Sequence, residues 1–315
     1  MKICIIGPGY KPIPPNGWGA VESVIWDYYM NLKDNHEVII INNRDLKQVI
    51  EEVNAVNYDV IHIMYDDHVI ITPYLKHNRI FYTSHYAYIT HPNFEQTQPW
   101  YFQNIFSHVI FNKDKIIIHA ISEQIKQVYV KYGFPENKIN VLHNGAREDS
   151  FKYHINPINY DKSVYLAKIE ERKKQYMYQH IPNIDFVGNY HNSSFDISST
   201  NYLGEWTKDM LYNNLSYYGN LILLSDGEAD PLVVKEALIC GLGVVVSECA
   251  SANLDLSKDF ITIIPNNKLT DISYVSDEIA KNRKYSIKNR ERIREYGLKL
   301  FSWKNIINKY IQLIE

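Results

Sequence analysis

The feature that most constrains this chain is a regular alternation of short apolar runs with segments of helical periodicity. The runs are rich in β-branched residues and apolar on both faces, which is typical of strands covered on both sides. The helical segments supply the crossovers that parallel strands require. In the first half, strands are predicted at residues 2–6, 37–41, 60–64, 79–84, 108–111, 116–121 and 139–142. Helices are predicted there at residues 20–32, 46–56, 99–106 and 122–132.

The alternation pauses at residues 146–162, a polar stretch with Pro157 that is predicted to be a linker. It then resumes, with strands predicted at residues 163–167, 185–187, 221–224, 243–246 and 260–264, and helices at 172–179, 208–215, 232–240, 273–282 and 287–298. The pattern predicts two doubly wound α/β domains with mostly parallel sheets, residues 1–148 and 149–300, and a terminal helical segment, 301–315. Ligands bind such sheets outside the carboxyl ends of the strands, so the loops after strands are the places to look for chemistry.

Composition excludes several classes of protein. The net charge of −3 offers no general basic field for nucleic acid. Cys4, Cys240 and Cys249 are an odd set without metal-ligand spacing, which favours buried thiols over disulfides or a zinc site. No apolar stretch reaches the roughly 18 residues of a membrane span, and the run before Gly7 is too short for a signal peptide. A cytoplasmic location is therefore expected, with peripheral membrane contact left open, and the abundance of residues with AT-rich codons suggests a bacterial or viral source.

A glycine-containing loop, GPGYKPIPPNGWGAVES, follows the first predicted strand. It lacks the G-x-G-x-x-G spacing of a dinucleotide site, because prolines separate its first glycines from the next helix. Gly17 and Gly19 stand just before that helix, where glycine lets the backbone approach a ligand and the helix N-terminus favours an anion. An ordinary flexible loop explains the same glycines equally well.

Two lysines follow a strand of the second domain in SVYLAKIEERKK. Lys168 comes directly after the strand, and Lys173 stands at the start of the next predicted helix. Cations are unusual at the positive end of a helix, but they would be tolerated if both faced a dianion such as a diphosphate. The alternative is a pair of solvated surface lysines.

The strongest local signal is SDGEADPLVVKEALICGLGVVVSE, which lies between two predicted strands. Asp230 is predicted to cap the helix and Pro231 to occupy its first turn. The free N–H groups of the helix start would then point to the carboxyl edge of the sheet. Glu228 and Glu236 could face one hydroxyl-rich ligand, because carboxylates accept hydrogen bonds from hydroxyl groups. The alternative is an ordinary loop acid and a surface helical residue.

One histidine and one aromatic stretch of the first domain are further candidates. His85 ends a strand in RIFYTSHYAY, and this position is compatible with a functional or a structural role. The stretch QPWYFQNIF, residues 98–106, could meet a lipid or glycan, although a helix with its aromatic rings in the core is the favoured interpretation.

In their order along the chain, these segments resemble the retaining glycosyltransferases of family four, which have the GT-B fold. EADPLVVKE is similar to the family's E-x7-E motif, and ALICGLGVVVS is similar to the small-residue pattern after it. AKIEERK resembles the G-R-L-x-x-x-K segment, VLHNGAREDSF the linker signature and FSWKNIINKYIQLI the terminal helix. The resemblance extends over the whole chain and is weak at residues 176–207. It implies two Rossmann-like domains facing a central cleft, with the last helix packing back toward the first domain.

The resemblance implies a hexosyltransferase that moves a sugar from a UDP- or GDP-linked donor to a hydroxyl of a glycan, lipid or other acceptor, with retention and without metal or cofactor. The residues implied to act in catalysis are His85, Lys168, Lys173 and Glu228. The residues implied to bind the donor are Gly17, Gly19, Lys168, Lys173, Leu203, Gly204, Glu228, Ala229, Asp230, Pro231, Leu232, Val233 and Glu236, with Tyr190 and residues 203–206 near the base. The implied partners are the diphosphate for Lys168, Lys173, Gly17 and Gly19, the ribose for Glu236, and the donor sugar for Glu228 and His85.

The chain departs from the family pattern at three places. Lys168 stands where arginine is usual, which loses a bidentate fork, and Ala167 replaces a glycine. Asp230 and Pro231 lie beside the implied sugar position and could alter the sugar accepted or weaken catalysis. Two alternatives therefore stay open: a GT-B sugar-nucleotide epimerase, and a sugar-nucleotide or glycan-binding protein with little or no turnover. A nicotinamide oxidoreductase is disfavoured by the first loop, and the base, sugar, acceptor and oligomeric state are left undetermined.

Overall fold

The computed structural model describes residues 1–191 and 194–315. These residues divide into two compact units, the first formed by Met1–Asn144 and Trp303–Glu315 and the second by Gly145–Ser302. Each unit has its own sheet. Within the described residues, every helix is too short or too polar to cross a lipid bilayer.

The sheet of the first unit consists of β1 (Lys2–Ile6), β2 (Glu37–Ile41), β3 (Val60–Ile63), β4 (Ile80–Tyr82), β5 (Ile116–Ala120) and β6 (Ile139–Val141). The strands pair in parallel in the order β2-β1-β3-β4-β5-β6. The chain thus goes from β1 to one side and then crosses to β3 on the other, which is doubly wound topology. β3 and β4 are wholly buried, in agreement with their continuous apolar runs.

The helices of this unit are α1 (Ala20–Leu32), α2 (Leu46–Asn54), α3 (Phe94–Thr97), α4 (Pro99–Tyr101), α5 (Ser107–Phe111), α6 (Glu123–Lys131) and the C-terminal helix (Trp303–Ile314). Two 3-10 helices (Asp66–Tyr74 and Glu136–Lys138) and a π-helical turn (Phe102–Phe106) complete it. The C-terminal helix packs on α1. The ring centroids of Trp303 and Tyr310 lie 5.3 and 4.9 Å from the ring centroid of Tyr28 on α1.

The prediction of a strand at residues 108–111 is wrong, because these residues continue a helix. α4, the π-helical turn and α5 follow one another without a break. Tyr101, Ile105 and Val109 recur every four residues and are buried, so one face of this helical run lies in the core. A short apolar run does not by itself distinguish a strand from a buried helical turn.

The sheet of the second unit consists of β7 (Asn159–Leu166), β8 (Ile184–Val187), β9 (Tyr218–Leu223), β10 (Gly243–Ser247) and β11 (Ile261–Ile264). These strands pair in parallel in the order β11-β10-β9-β7-β8, which repeats the winding of the first unit's leading strands. The predicted linker at 146–162 is too long, because β7 begins at Asn159. A register shift between Asn159 and Ser163 separates the polar start of β7 from its buried part.

The helices of the second unit are α7 (Gln175–Tyr178), α8 (Lys208–Asn214), α9 (Leu232–Ile239), α10 (Ile272–Lys288) and α11 (Arg290–Phe301). Its 3-10 helices are Glu171–Lys173, Leu215–Tyr217, Glu248–Ala250 and Asn266–Lys268. The single helix predicted at 172–179 is wrong, because Lys174 adopts a left-handed conformation (φ 54°) and divides it.

Candidate functional site

The winding of the second sheet brings two loops together. β7 stands between β8 and β9, so the chain leaves β7 toward one side and β9 lies on the other. In open α/β sheets, the crevice at such a switch of direction is where ligands bind. The two loops are residues 167–174 after β7 and 224–231 after β9. The N–H of Asp226 donates to the carbonyl of Arg172 at 2.9 Å, which joins the loops.

Lys173 and Glu228, both predicted from the sequence, lie together at this crossover. Nζ of Lys173 donates to Oε1 of Glu228, and the two side chains are only 11% and 10% exposed. The carbonyl of Lys173 accepts a hydrogen bond from the buried hydroxyl of Tyr165 on β7, which fixes the loop to the sheet. An ammonium group carries three hydrogen-bond donors, so Lys173 can maintain its hydrogen bond to Glu228 and still bind a second anion.

Lys168 lies after the same strand and is more open. Its side chain is 41% exposed, and Nζ is 3.4 Å from Oε2 of Glu170. Arg172 pairs with the other oxygen of Glu170 at 2.9 Å. Burial alone would raise the pKa of Glu170, but the charges of Arg172 and Lys168 lower it below its usual range. An ionised Glu170 therefore holds two of the cations that follow β7.

Arg172 is a charged residue at this point that the family motif does not single out. Its guanidinium donates to the carbonyl of Gly227 and lies 3.5 Å from Oε1 of Glu228. The run ERKK is the only signal in the sequence, and such runs are usually solvated faces. The break at Lys174 changes this, because Arg172 turns toward the loop after β9 and Lys174 pairs with Asp226 at 2.5 Å.

The prediction that Asp230 caps α9 is wrong. Pro231 occupies the cap position, and it provides no side-chain cap for the helix. The carboxylate of Asp230 instead accepts from Nζ of Lys235, and from Nδ2 of Asn253 at 2.8 Å. Burial lowers the pKa of Lys235, while Asp230 opposes this shift. A buried ammonium group without an anion would cost more folding free energy than a missing helix cap. This difference explains why Asp230 pairs with Lys235 and does not cap α9.

Glu236, the second glutamate of the motif, lies in the first turns of α9 and is half-buried. Burial raises its pKa, and the charges of Lys208, Arg147 and Lys235 oppose the rise. Within residues 1–191 and 194–315, its carboxylate makes no hydrogen bond or ion pair. Glu236 thus differs from Glu228, since its oxygens are not engaged by another side chain.

The remaining predicted donor residues of this unit differ in accessibility. Ala229 and Asp230 are buried, whereas the residues at the cap and start of α9 are half-buried: Pro231, Leu232 and Val233. Tyr190 and Leu203 are 39% and 42% exposed. Gly204 has a φ of 72°.

Tyr190 and Leu203 are both held by backbone contacts near the carboxyl ends of β7 and β8. Tyr190 forms an isolated parallel bridge with Ile169, which places it beside the loop after β7. The N–H of Leu203 donates to the carbonyl of Phe186 on β8 at 2.9 Å. Trp206, by contrast, is 4% exposed and packs near Tyr218, so its ring belongs to the core of the unit.

In the first unit, Gly17 and Gly19 precede α1 as predicted, but the start of that helix already carries a negative charge. Gly19 is the cap residue, and Glu22 of the first turn is 7% exposed. A Cβ added at Gly19 would lie 2.7 Å from Oε2 of Glu22, so the glycine leaves room for this carboxylate. Gly17 has a φ of 99°, which favours glycine, and no neighbour within 4 Å of an added Cβ.

His85 follows β4 and lies beside a buried polar cluster centred on Asp66. The N–H of His85 donates to Oδ2 of Asp66 at 3.2 Å. Oδ1 of the same carboxylate accepts from the hydroxyls of Tyr82, Ser84 and Tyr101 at 2.7, 2.6 and 2.8 Å. Asp66 is 8% exposed, so this cluster fixes the backbone at His85 from inside the unit.

In the described part of the chain, no three or more histidine, cysteine, aspartate or glutamate side chains are grouped as a metal ion would require. The charged residues after β7 and β9 form ion pairs with one another instead. Lysine and arginine side chains at this point could bind an anion, because charge-assisted hydrogen bonds to phosphate or carboxylate oxygens are strong.

Residues 2–149 match the sequence model of the family described as Glycosyltransferase Family 4. A search of curated protein sequences finds no significant match. Among solved structures, that of Anabaena HepE in complex with UDP-glucose is similar with a TM-score of 0.75 and 13% identity, covering 100% of this chain and 99% of that one.

Two further solved structures agree. Sucrose-phosphate synthase from Thermosynechococcus elongatus gives a TM-score of 0.76 at 16% identity, covering 99% of this chain and 98% of that one. The lipopolysaccharide outer core galactosyltransferase WaaB gives 0.68 at 15% identity, covering 99% of each chain. The resemblance to the family-four glycosyltransferases and the GT-B fold are therefore confirmed.

Proposed function

We propose that this protein is a retaining glycosyltransferase that moves a hexose from a nucleoside diphosphate sugar to an acceptor hydroxyl without a metal ion. The observation that carries the proposal is the pairing of Lys173 with Glu228 where β7 and β9 meet, on a chain with the GT-B fold. This is the point of a doubly wound sheet at which ligands bind. Lys173 is a cation that could bind a diphosphate there, and Glu228 beside it is a carboxylate that could accept hydrogen bonds from sugar hydroxyls.

The neighbouring residues supply the other contacts of a donor site. Lys168 is open enough to reach the diphosphate together with Lys173. Glu236 has free carboxylate oxygens within the described residues and suits the vicinal hydroxyls of the ribose. Tyr190 and Leu203 are exposed beside the loop ends and suit the base. The donor contacts of Gly17, Gly19 and His85 remain predictions from the sequence.

The chemistry that these residues would support is departure of the diphosphate from the anomeric carbon. Negative charge grows on the phosphate oxygens in that step while positive charge grows on the sugar. Fixed cations aimed at the developing charge, such as Lys173 and Lys168, lower the barrier without a metal. The acceptor hydroxyl would attack from the same face, and a diphosphate oxygen would take its proton.

The comparisons favour a UDP-linked hexose as the first donor to test. HepE has been solved with UDP-glucose and with UDP, and WaaB is a galactosyltransferase. A GDP-linked donor stays in the panel, since these relatives are no more than 16% identical to the chain. The acceptor is proposed to be a hydroxyl of a glycan or lipid-linked glycan.

The experiment is thermal unfolding of the protein with UDP-, GDP-, ADP- and TDP-sugars, each with and without EDTA. A donor present at about 100 times its Kd adds roughly 2.7 kcal/mol to the stability of the folded state, a shift of several degrees. The expected result is a shift with one nucleotide class that EDTA does not reduce. Folded protein that responds to none of the donors would overturn the proposal.

Donor hydrolysis then tests the reaction itself. Incubation of the protein with the donor identified by unfolding is expected to release sugar slowly to water, and NMR of the fresh product reads its anomeric configuration. Retention supports the proposed mechanism, and inversion contradicts it. Binding without hydrolysis or transfer would favour the sugar-nucleotide-binding protein, whereas conversion to an isomeric donor would favour the epimerase.

A further inference from the structure

The ion pair between Asp230 and Lys235 lies inside the segment that joins the two glutamates. The side chains of Asp230 and Lys235 are 0% and 2% exposed. Asp230 comes two residues after Glu228, and Lys235 directly precedes Glu236. Asp230 is therefore close along the chain to Glu228, and Lys235 to Glu236, the two glutamates that are proposed to contact the donor.

Stability alone does not account for such a pair. Two charges buried together gain little over well-packed apolar side chains of the same size, because both lose their hydration. What a buried pair can add is a defined geometry, since neither charge tolerates separation from the other. The side chains around Asp230 and Lys235 also hold the pair in a defined position.

Two further contacts fix the pair. Nδ2 of Asn253, in the loop after β10, donates to Oδ1 of Asp230 at 2.8 Å. Nζ of Lys235 lies 5.6 Å from the ring centroid of Phe301 at the end of α11. The loop after β9, the first turn of α9, the loop after β10 and the end of α11 thus meet at one buried charge pair.

We propose that Asp230 and Lys235 form an internal clamp that sets the positions of Glu228 and Glu236 relative to each other. Both are positioning residues for the donor and do not contact it, and this role rests on the proposed function. The carboxylate of Asp230 is turned into the protein, so the loop offers the sugar its backbone and Glu228 rather than a second acid. The departure from the family pattern at Asp230 is thereby matched by the lysine at 235.

The test compares single and double removal of the charges. Asp230→Asn and Lys235→Met each strand one buried charge and are expected to lower the unfolding midpoint by about 10 °C. Asp230→Asn/Lys235→Met removes both and keeps an amide that can accept from Asn253, so its midpoint is expected to return to within about 3 °C of wild type. Its kcat/KM for donor hydrolysis is expected to stay roughly 10- to 100-fold low, because displacement of contact groups by about 1 Å costs that much.

The matched control removes another aspartate–lysine pair of the same unit. Lys162 and Asp185, on β7 and β8, are 3.1 Å apart and lie outside the proposed site. Lys162→Met/Asp185→Asn is expected to leave kcat/KM at the wild-type value. If Asp230→Asn/Lys235→Met does not fold, Asp230→Asn/Lys235→Gln, which keeps a hydrogen bond between the positions, is measured in the same way.

The outcomes separate the clamp from the proposed function. A thermally restored double variant with wild-type kcat/KM, or a control pair that loses as much activity, overturns the clamp while the proposed function stands. A wild type that neither binds nor hydrolyses any donor overturns the proposed function and the positioning role with it. A restored midpoint with persistently low kcat/KM supports the clamp, since a merely structural pair would recover both.

Discussion

Two buried carboxylates, Asp66 in the first unit and Glu228 in the second, each follow a strand of a doubly wound sheet and are held in different ways. Asp66 accepts from three hydroxyls and one backbone N–H, all of them neutral donors. Glu228 is held by the ammonium of Lys173, with Arg172 at 3.5 Å. Among the described residues, the first carboxylate is held by hydrogen bonds from neutral groups and the second by cations.

The difference determines what each region can do with a ligand. A hydroxyl that donates its single hydrogen to Asp66 has nothing left to donate to an incoming group. A lysine in an ion pair keeps further donors and a full charge, so a phosphate can share it. The cluster around Asp66 is therefore suited to fixing the backbone, and the cluster around Glu228 to exchanging anions.

Removal of Lys173 should have the largest effect. Lys173→Ala leaves the buried carboxylate of Glu228 without its main cation, and loss of one partner of a buried pair costs about 3–5 kcal/mol of unfolding free energy. The folded variant should also lose affinity for UDP much more than for uridine, because the lysine is proposed to bind phosphate. Urea unfolding measures the first effect and calorimetric titration the second.

Lys162→Ala is the control for Lys173→Ala, since Lys162 lies on β7 in the same unit, pairs with an aspartate outside the proposed site, and has a side chain that is 41% exposed. It should leave the affinities for UDP and uridine unchanged. Equal losses for UDP and uridine in Lys173→Ala would reject the phosphate role of Lys173.

Glu236→Ala should have the next largest effect, and it should fall on binding rather than on stability. A carboxylate that accepts from two ribose hydroxyls contributes about 2–4 kcal/mol, so the Kd of the donor should rise about 30- to 1,000-fold. The unfolding midpoint should change little, because no side chain among the described residues depends on Glu236 as a partner. Titration with the 2′,3′-dideoxy donor provides the control, since wild type and variant should bind it equally. An unchanged donor Kd in the variant would exclude the ribose contact.

Asp66→Asn should separate the two regions. The neutral amide accepts hydrogen bonds less strongly from Tyr82, Ser84 and Tyr101, and we expect a loss of about 2 kcal/mol in unfolding free energy. The affinity of the folded variant for UDP should stay at the wild-type value, because Asp66 bonds to its own hydroxyl partners and is not among the groups proposed to bind UDP. A drop in UDP affinity comparable to that of Lys173→Ala would show that the two carboxylates do not have the separate roles inferred here.

Much of the fold follows from the sequence because buried parallel strands are recognisable as apolar runs. α1 is predicted at its observed limits, and strands such as β1 and β2 are as well. The errors occur where local pattern is ambiguous. The run at residues 108–111 is apolar in either conformation, and the polar first residues of β7 do not differ in composition from a linker.

The site is predictable as far as it depends on position along a strand. Lys173 and Glu228 follow strands that turn out to be neighbours, so their meeting is a consequence of topology. The partner of Asp230 is not predictable in this way. Its preference for a helix cap is a local property, whereas its observed bonds depend on a buried lysine and on Asn253, which lies 23 residues further along the chain.

The smallest expected effect is a pH dependence that sharpens the contrast between the two glutamates of the motif. Burial raises the pKa of Glu236 above its ordinary value, so its carboxylate takes up a proton at a higher pH than an exposed glutamate would. A folded-state pKa that is raised contributes stability at low pH that is lost as the pH rises through it. Binding has the opposite sign, because only the ionised carboxylate accepts two hydroxyl hydrogens from the ribose.

The affinity for a UDP-sugar should therefore fall several-fold on acidification from pH 7 toward pH 5, as measured by calorimetric titration. A nucleotide sugar is the right ligand for this, since its diphosphate is esterified at both ends and does not titrate in that range. Glu236→Gln should bind the donor more weakly at neutral pH and lose the pH dependence, because the amide has no proton to gain. A wild-type affinity that is constant over this range, or a variant that keeps the slope, would place the titrating group elsewhere and leave Glu236 without a part in ribose binding.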